Sequence, residues 1–347
     1  MKDTDEQNTE FPFKYAMHHP SLYNKIYTTP YQKVKRLISY PILLLTAPLR
    51  ILIVISLFLI NSMIAKGLNA GTLQTNPLPP FRKNVFRISS AFWSWIMLLF
   101  YGVHPSVKQK RDMSKPQAAI YIMKHVCALD ILVNNVVGTD AFVTKADKIN
   151  NPLTGPPAYA SRSLAITKNS NIVQRLINRY HSPVKWPSIT IYPEGTTSSQ
   201  FCLLRFRTGA FRIGVPVQPL VTRFRSYCPE WLWQSPLEHF LDCCTNSVMS
   251  NIDCWYLEQM SIKEGETARE FADRVGYAMS QASGVQYVPY DHNDIYYFQG
   301  TGDISKCTPE YIRDYGWMGT LKNYKEMCKK AGVDWKFEWP KETFELK

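Results

Sequence analysis

Apolar residues along this chain follow two regimes. Residues 38–65 run almost wholly through apolar side chains, interrupted by Pro41, Pro48 and Arg50, and a second apolar patch over 91–103 holds Phe92, Trp93, Trp95, Phe100 and Tyr101. From about Ala118 short apolar runs alternate with amphipathic stretches. Residues 118–123 read as a strand, 129–138 as a helix and 141–144 as a strand, followed by a Pro/Gly/Asn-rich loop over 147–158. Ser170 is placed to cap a helix whose Ile172, Val173, Leu176, Ile177 and Tyr180 share one face. Residues 189–192, 215–222 and 253–258 read as buried strands. Thr267 with Glu270 forms a capping box opening a helix with Phe271, Val275 and Met279 inward, closed near Gly284. Strands alternating with helices predict an α/β fold with a mostly parallel central sheet flanked by helices. An N-terminal hydrophobic, membrane-anchoring helical hairpin precedes it. The expected divisions are a polar segment 1–36, an anchor 37–104, an α/β domain 105–290 and a C-terminal extension 291–347, with no internal repeats.

The anchor admits two readings. Residues 51–65 are too short to cross a bilayer alone, since a span needs about 20 residues. The whole apolar stretch is long enough, but it would set Arg50 near mid-membrane, where a cation is costly. With the aromatic patch at interfacial depth, residues 38–103 read as a two-segment re-entrant or tilted hairpin. The other reading is one tilted transmembrane helix followed by a core helix.

Charge narrows the partners. The 347 residues include 40 basic and 28 acidic side chains, a net charge of +12 that favours an anionic partner. No Lys/Arg-rich run, zinc-finger or RNA-recognition signature is present, so a phospholipid surface fits better than nucleic acid. Eight cysteines show no CxxC pair and no metal-site spacing, so no metal is expected. They read as buried thiols of a reducing compartment, with the soluble part facing the cytosol. The opening MKDTDEQNTE reads as neither signal peptide nor mitochondrial presequence. No acidic loop of EF-hand spacing follows residue 300.

Two short stretches leave buried strands and carry candidate chemistry. His125 is followed five residues later by Asp130. Through a strand-to-helix turn that carboxylate can hold the ring Nδ1–H, leaving Nε2 to take a proton as general base. Taken alone, the pair also fits a core histidine satisfied by a carboxylate. Downstream, Tyr192-Pro193-Glu194-Gly195-Thr196-Thr197 places a carboxylate and a glycine directly after a strand. Gly195 permits close backbone approach, and the hydroxyls of Thr196, Thr197 and Ser198 add donors. A helix starting there would attract phosphate; the plainer reading is a β-turn. Together the two stretches point to acyl transfer to a hydroxyl.

In this order, His125-x-x-x-x-Asp130, Tyr192-Pro193-Glu194-Gly195-Thr196 and Val215-Pro216-Val217-Gln218-Pro219-Leu220 resemble three blocks of the glycerolipid acyltransferase family. Ala160-Ser161-Arg162-Ser163 sits where the family has an Arg-containing block. Residues 203–219, Trp231 onward and the helix near 267–283 resemble the lysophosphatidylcholine and lysophosphatidylethanolamine acyltransferases in particular, and the similarity covers about residues 20–290. The resemblance implies His125 as general base and Asp130 as its orienting partner. It implies Glu194, Gly195 and Thr196 in an acceptor-binding loop and Arg162 as a phosphate-binding cation, a role that suits a guanidinium fork. The strand from Val215 would line the acyl-CoA side, and Cys127 would be a spacer. The implied partners are membrane phospholipids, acyl-CoA as co-substrate and a lysophospholipid. No cofactor is implied, and the expected location is the endoplasmic reticulum membrane.

Thr197 stands where acyltransferases of lysophosphatidic acid usually have Arg, a departure shared with the phosphocholine and phosphoethanolamine enzymes and with some glycerol-3-phosphate acyltransferases. Lys145, Lys148 and Lys168 form either a basic funnel for CoA phosphates or a solvated charged face. Arg205, Arg207 and Arg212, if carried on a β-turn-β unit, would offer phosphate one edge. Phosphatidic-acid synthesis from lysophosphatidate or glycerol 3-phosphate, and an inactive lipid-binding protein, remain as alternatives. A hydrolase using Ser198 or Ser161 would lack any Gly-x-Ser-x-Gly elbow.

Overall fold

The computed structural model describes residues 30–332 apart from 115, 139–140, 168–170, 226–234 and 246–249. Ser170, Lys168, Trp231 and the first 29 residues, with the calls made on them, lie outside these described residues. The chain opens with helix α1, Pro30–Asn69, and helix α2, Pro80–Phe100. Pro41 and Pro48, which punctuate the apolar run, lie inside α1. Both rings sit on the exposed side. There the ring faces away from the protein core, and the helix continues past the backbone bond that each proline removes.

Leu45–Asn69 of α1 is long and apolar enough to cross a membrane, with a mean hydropathy of 2.2 and only 28% of its most apolar stretch buried. Leu45, Leu49, Leu52 and Met63 of α1 and Phe81, Ile88 and Phe92 of α2 point outward. Val54 and Leu57, with Met97 and Leu98, point inward to a shared core. The hairpin therefore has one apolar face for a membrane and one for the domain. The aromatic patch over 91–103 lies mostly on a helix that starts at Pro80 and turns Ser94, Met97 and Leu98 into the protein, while Phe92 and Trp95 stay exposed.

The strands are β1 (Val103–Gln109), β2 (Ile120–Met123), β3 (Ala141–Lys145), β4 (Leu164–Ile166), β5 (Ile189–Ile191), β6 (Cys202–Leu203), β7 (Val217–Phe224), β8 (Ser250–Tyr256) and β9 (Gln286–Tyr287). Seven form the main sheet in the order β1-β8-β7-β2-β5-β3-β4, and β6 pairs with β9. Every pairing is parallel except β7 with β8. The mostly parallel sheet expected from the alternating pattern is thus present.

The central strand β2 is buried on both faces. Ile120 and Ile122 enter one cluster with Ile189, Phe211, Phe271 and Val275, while Tyr121 and Met123 enter the other with Met97, Leu98 and Leu129. Side chains alternate across a strand, so a parallel strand covered on both faces carries a continuous apolar run. The first cluster is closed by the helices Ile172–Tyr180 and Ala268–Ser283. The latter opens on the Thr267–Glu270 capping box and ends at the left-handed Gly284, as expected. The second is closed by α1, α2 and helix α3, Leu129–Val137.

Two differences bear on the site. The loop expected over 147–158 contains short helices at Ala146–Ile149 and Gly155–Ala160. The C-terminal helices His292–Phe298, Pro309–Tyr315 and Leu321–Ala331 build a third core. It takes in Cys202 and Leu204, directly after the Glu194 loop.

Candidate active site

Ile122 of β2 pairs with Ile191 of β5 in parallel register. The two strands therefore end at the same edge of the sheet, and the chain leaves each through one of the two candidate stretches. Loops at the carboxyl edge of neighbouring parallel strands are where such sheets place ligands.

Asp130 lies in the first turn of α3. Its Oδ2 accepts from the backbone N–H of Val126 at 2.6 Å and of Cys127 at 2.9 Å, and meets His125 Nδ1 at 2.9 Å. A carboxylate at a helix N-terminus is favoured by the unpaired amides there. Helix α3 is itself pinned, since Asn134 Oδ1 accepts from Thr190 at 3.1 Å and Asn135 donates to Ser94 of α2 at 3.0 Å. With Asp130 held this way, Nδ1 of His125 carries the proton and Nε2 is the acceptor nitrogen. The His125 side chain is 21% exposed against 1% for Asp130. Among the described residues Nε2 has no hydrogen-bond partner.

Tyr192 forms one wall. Its ring stacks on His125 with centroids 4.4 Å apart and planes at 26°. Its hydroxyl is buried and finds no hydrogen-bond partner among the described residues. Burial, and then the nearby Asp130 and Cys127, push it well above the ordinary tyrosine range.

Glu194 is placed differently from the expectation. It is fully buried. Its Oε2 accepts from Ser198 Oγ at 2.8 Å, and its Oε1 accepts from Leu204 N–H at 2.9 Å and lies 3.3 Å from Lys124 Nζ. Lys124 also donates to Ser198 Oγ at 2.9 Å and to the carbonyl of Cys202. Ser198 N–H in turn donates to the carbonyl of His125 at 2.8 Å. The carboxylate thus shapes the loop from inside and fixes the backbone that carries His125; the geometry gives it no face toward an acceptor.

Lys124 escaped the sequence reading, although a signal was there. It continues the parity of Ile120 and Ile122, so strand alternation alone turns it inward toward a buried partner.

Gly195 adopts φ of +77°, where L side chains are disfavoured, and a Cβ there would lie 2.7 Å from Arg207 Cδ. Thr196 follows half-buried in the turn. No helix begins at these residues, so the phosphate-attracting helix end considered above is absent from this loop.

The structure moves Arg162 out of the site. Its side chain is buried, and its guanidinium donates to the Asn76 carbonyl at 2.6 Å, Asn69 Oδ1 at 2.6 Å, the Tyr159 carbonyl at 2.9 Å and Thr72 Oγ1 at 3.0 Å. Its backbone is left-handed at φ 63, a conformation costing on the order of 1–3 kcal/mol outside glycine. It precedes β4, three strand spacings from β2, or roughly 14 Å. Arg162 ties the loop between α1 and α2 to the sheet, and its donors have no reach to a phosphate beside His125.

The hydroxyls considered for a hydrolase are engaged elsewhere. Ser161 Oγ lies 2.7 Å from Ser163 Oγ, and Ser198 Oγ is held by Lys124 and Glu194. Arg205, Arg207 and Arg212 do not share a β-turn-β edge, since the chain after β6 enters a short 3-10 turn at Thr208–Arg212. Lys145 is exposed at the carboxyl end of β3, on the same edge as the site. Lys148 lies 3.6 Å from Asp147.

Residues 104–223 match the family model described as Acyltransferase, a span that includes both stretches. The chain is 27% identical over 286 residues to human lysophosphatidylcholine acyltransferase 1, covering 77% of this chain and 53% of that protein. It is 24% identical over 274 residues to mouse lysophosphatidylcholine acyltransferase 2, covering 75% and 48%. The chain therefore spans about half the length of these curated relatives. The crystal structure of the 1-acyl-sn-glycerophosphate acyltransferase PlsC from Thermotoga maritima is a distant likeness, with a TM-score of 0.47 at 13% identity over 68% of this chain and 97% of that one.

Proposed function

From the premise that this chain belongs to the acyltransferase family through residues 104–223, we propose that it moves a fatty acyl group from acyl-CoA to the free hydroxyl of a lysophospholipid. The proposed acceptors are lysophosphatidylcholine and lysophosphatidylethanolamine. His125 Nε2 accepts the hydroxyl proton as the oxygen attacks the thioester carbonyl. The tetrahedral intermediate collapses with loss of the CoA thiolate, which takes that proton back from the imidazolium. Asp130 keeps the ring in the receiving tautomer and stabilises it when charged. A glycerol hydroxyl ionises far above neutral pH, so a base placed this way contributes about 10²–10⁴ in rate.

The observation that carries the reading is the His125–Asp130 pair, 2.9 Å apart, with Nε2 left open. The outward apolar face of α1 and α2 supports a membrane enzyme taking lipid from the plane of the bilayer. Thr197 and the enclosed Arg162 favour acceptors with a phosphodiester over the phosphomonoester of lysophosphatidate. The described cysteines are free thiols, which supports a domain facing the reducing cytosol, on the endoplasmic reticulum membrane in this proposal. Acyl-CoA serves as co-substrate, and the proton path uses only His125 and Asp130.

The test is acyl transfer by microsomal membranes carrying the full chain, with labelled lysophosphatidylcholine, lysophosphatidylethanolamine, lysophosphatidate and glycerol 3-phosphate in competition. We expect the first two to be acylated and His125→Ala to abolish the product. Transfer at the wild-type level by His125→Ala removes the base assignment, and preferential phosphatidic-acid formation removes the acceptor assignment.

A further inference from the structure

We propose that Arg207, laid across the Glu194 loop over Gly195, holds the phosphodiester of the acceptor lipid. This rests on the acyl-transfer reading above and assigns its head-group subsite. The backbone of Arg207 is fixed to that loop, its N–H donating to the Pro193 carbonyl at 2.8 Å. The side chain then passes the glycine so closely that a Cβ at Gly195 would lie 2.7 Å from Cδ and 3.3 Å from Nη1. The bare backbone of Gly195 is what leaves room for it.

The guanidinium is exposed, and among the described residues it has neither a hydrogen-bond nor an ion-pair partner. Its neighbours differ. Arg205 lies 4.0 Å from both Asp273 and Glu310, and Arg269 donates to the Phe206 carbonyl at 2.6 Å. An arginine held at its backbone and open at its tip is suited to a fork-like bond with phosphate oxygens.

A second observation comes from the C-terminal extension. His292 packs against the same glycine, its Cγ 3.6 Å from the Cβ position. Its Nδ1 is buried without a hydrogen-bond partner among the described residues. Burial, opposed in part by Asp291 and assisted by Arg207, holds this imidazole below its usual range, so it is neutral at pH 7. With Asp291 Oδ1 3.8 Å from His292 Nδ1, the subsite carries one guanidinium and a nearby carboxylate, which suits the single negative charge of a phosphodiester better than a dianionic phosphomonoester. Gly195 N–H bonds back to the Tyr192 carbonyl at 3.2 Å, and Tyr192 stacks on His125. The proton acceptor and the cation therefore sit at the two ends of one turn, as the hydroxyl and phosphate of one glycerol backbone require.

The test compares wild type, Arg207→Gln and Arg207→Lys as full chains in microsomal membranes. Initial rates are taken against lysophosphatidylcholine, against acyl-CoA, and against monoacylglycerol as an acceptor without phosphate. Arg207→Gln should raise the KM for lysophosphatidylcholine about tenfold or more, the loss of a charge-assisted bond. Arg207→Lys should recover part of it. The KM for acyl-CoA and the rate on monoacylglycerol should move less than about threefold, a difference too small for a lost ionic contact. An unchanged acceptor KM, or a rise confined to acyl-CoA, overturns the assignment.

A second measurement needs no variant. Phenylglyoxal labelling of Arg207 in the wild-type protein, read by peptide mass, should be suppressed by glycerophosphocholine, and labelling that ignores it also overturns the subsite. A wild type that acylates no lysophospholipid defeats the parent reading instead, and the labelling result then decides the subsite by itself.

Discussion

Two buried carboxylates stand beside each other at the edge of the sheet and do opposite things. Glu194 and Asp130 are both almost inaccessible, and each accepts backbone N–H bonds near the end of a parallel strand. Around Glu194 the polar groups close on one another: Lys124, Ser198 and Leu204 satisfy the carboxylate, and Lys124 also bonds Cys202. Around Asp130 the chain stays open by one atom, because its partly exposed partner His125 leaves Nε2 without a hydrogen-bond partner among the described residues. Burial and proximity to a motif do not separate these roles. What separates them is whether the network ends on a donor or acceptor that a substrate can reach. Arg162 and Arg207 repeat the contrast among cations, one saturated within the protein and the other free at its tip.

The comparison can be broken from either side. Asp130→Asn keeps the shape of the open pair but presents an amide to Nδ1, so the ring can settle in the wrong tautomer. The turnover number should fall about 10²–10⁴-fold with little change in acceptor KM, measured by initial rates. A fall in acceptor affinity instead would make Asp130 a binding residue.

Glu194→Gln attacks the closed cluster and strands the Lys124 ammonium in the core. The expected cost is about 3–5 kcal/mol of stability, measured by denaturation in detergent micelles. Adding Lys124→Met should restore much of it. A Glu194→Gln protein as stable as wild type, but defective in acceptor binding, would return Glu194 to the substrate surface.

Arg162→Ala has the smallest expected effect, about 2–3 kcal/mol from the loss of its charged bonds, with acceptor KM unchanged. A raised acceptor KM with full stability would put Arg162 back in the phosphate site.

What could be read from the chain in advance follows the range of the interactions. The capping box at Thr267, the inward face of the following helix and the Asp130 bond to His125 depend on residues at most a few positions apart, and all are found where the pattern put them. The two-sided burial of β2 was visible as an unbroken apolar run. Arg162 misled because its partners Asn69, Thr72 and Asn76 lie more than eighty positions earlier, in a loop that no periodicity links to it. The packing of His292 on Gly195, and the Tyr296 hydroxyl bond to the Gly195 carbonyl at 3.4 Å, span about a hundred residues and were equally hidden.

The antiparallel junction of β7 with β8 limits how the gene can be cut. Among the described residues, strand β8 is the sole connection of β1 to the rest of the main sheet. The span matched by the family model includes β1 but stops at residue 223, inside β7 and ahead of β8. An expression fragment trimmed to that span would carry an orphan strand, a ragged sheet margin and unpaired amides, the ingredients of aggregation. The smallest piece able to stand alone must run past residue 256, farther than similarity by itself would lead an experimenter to clone.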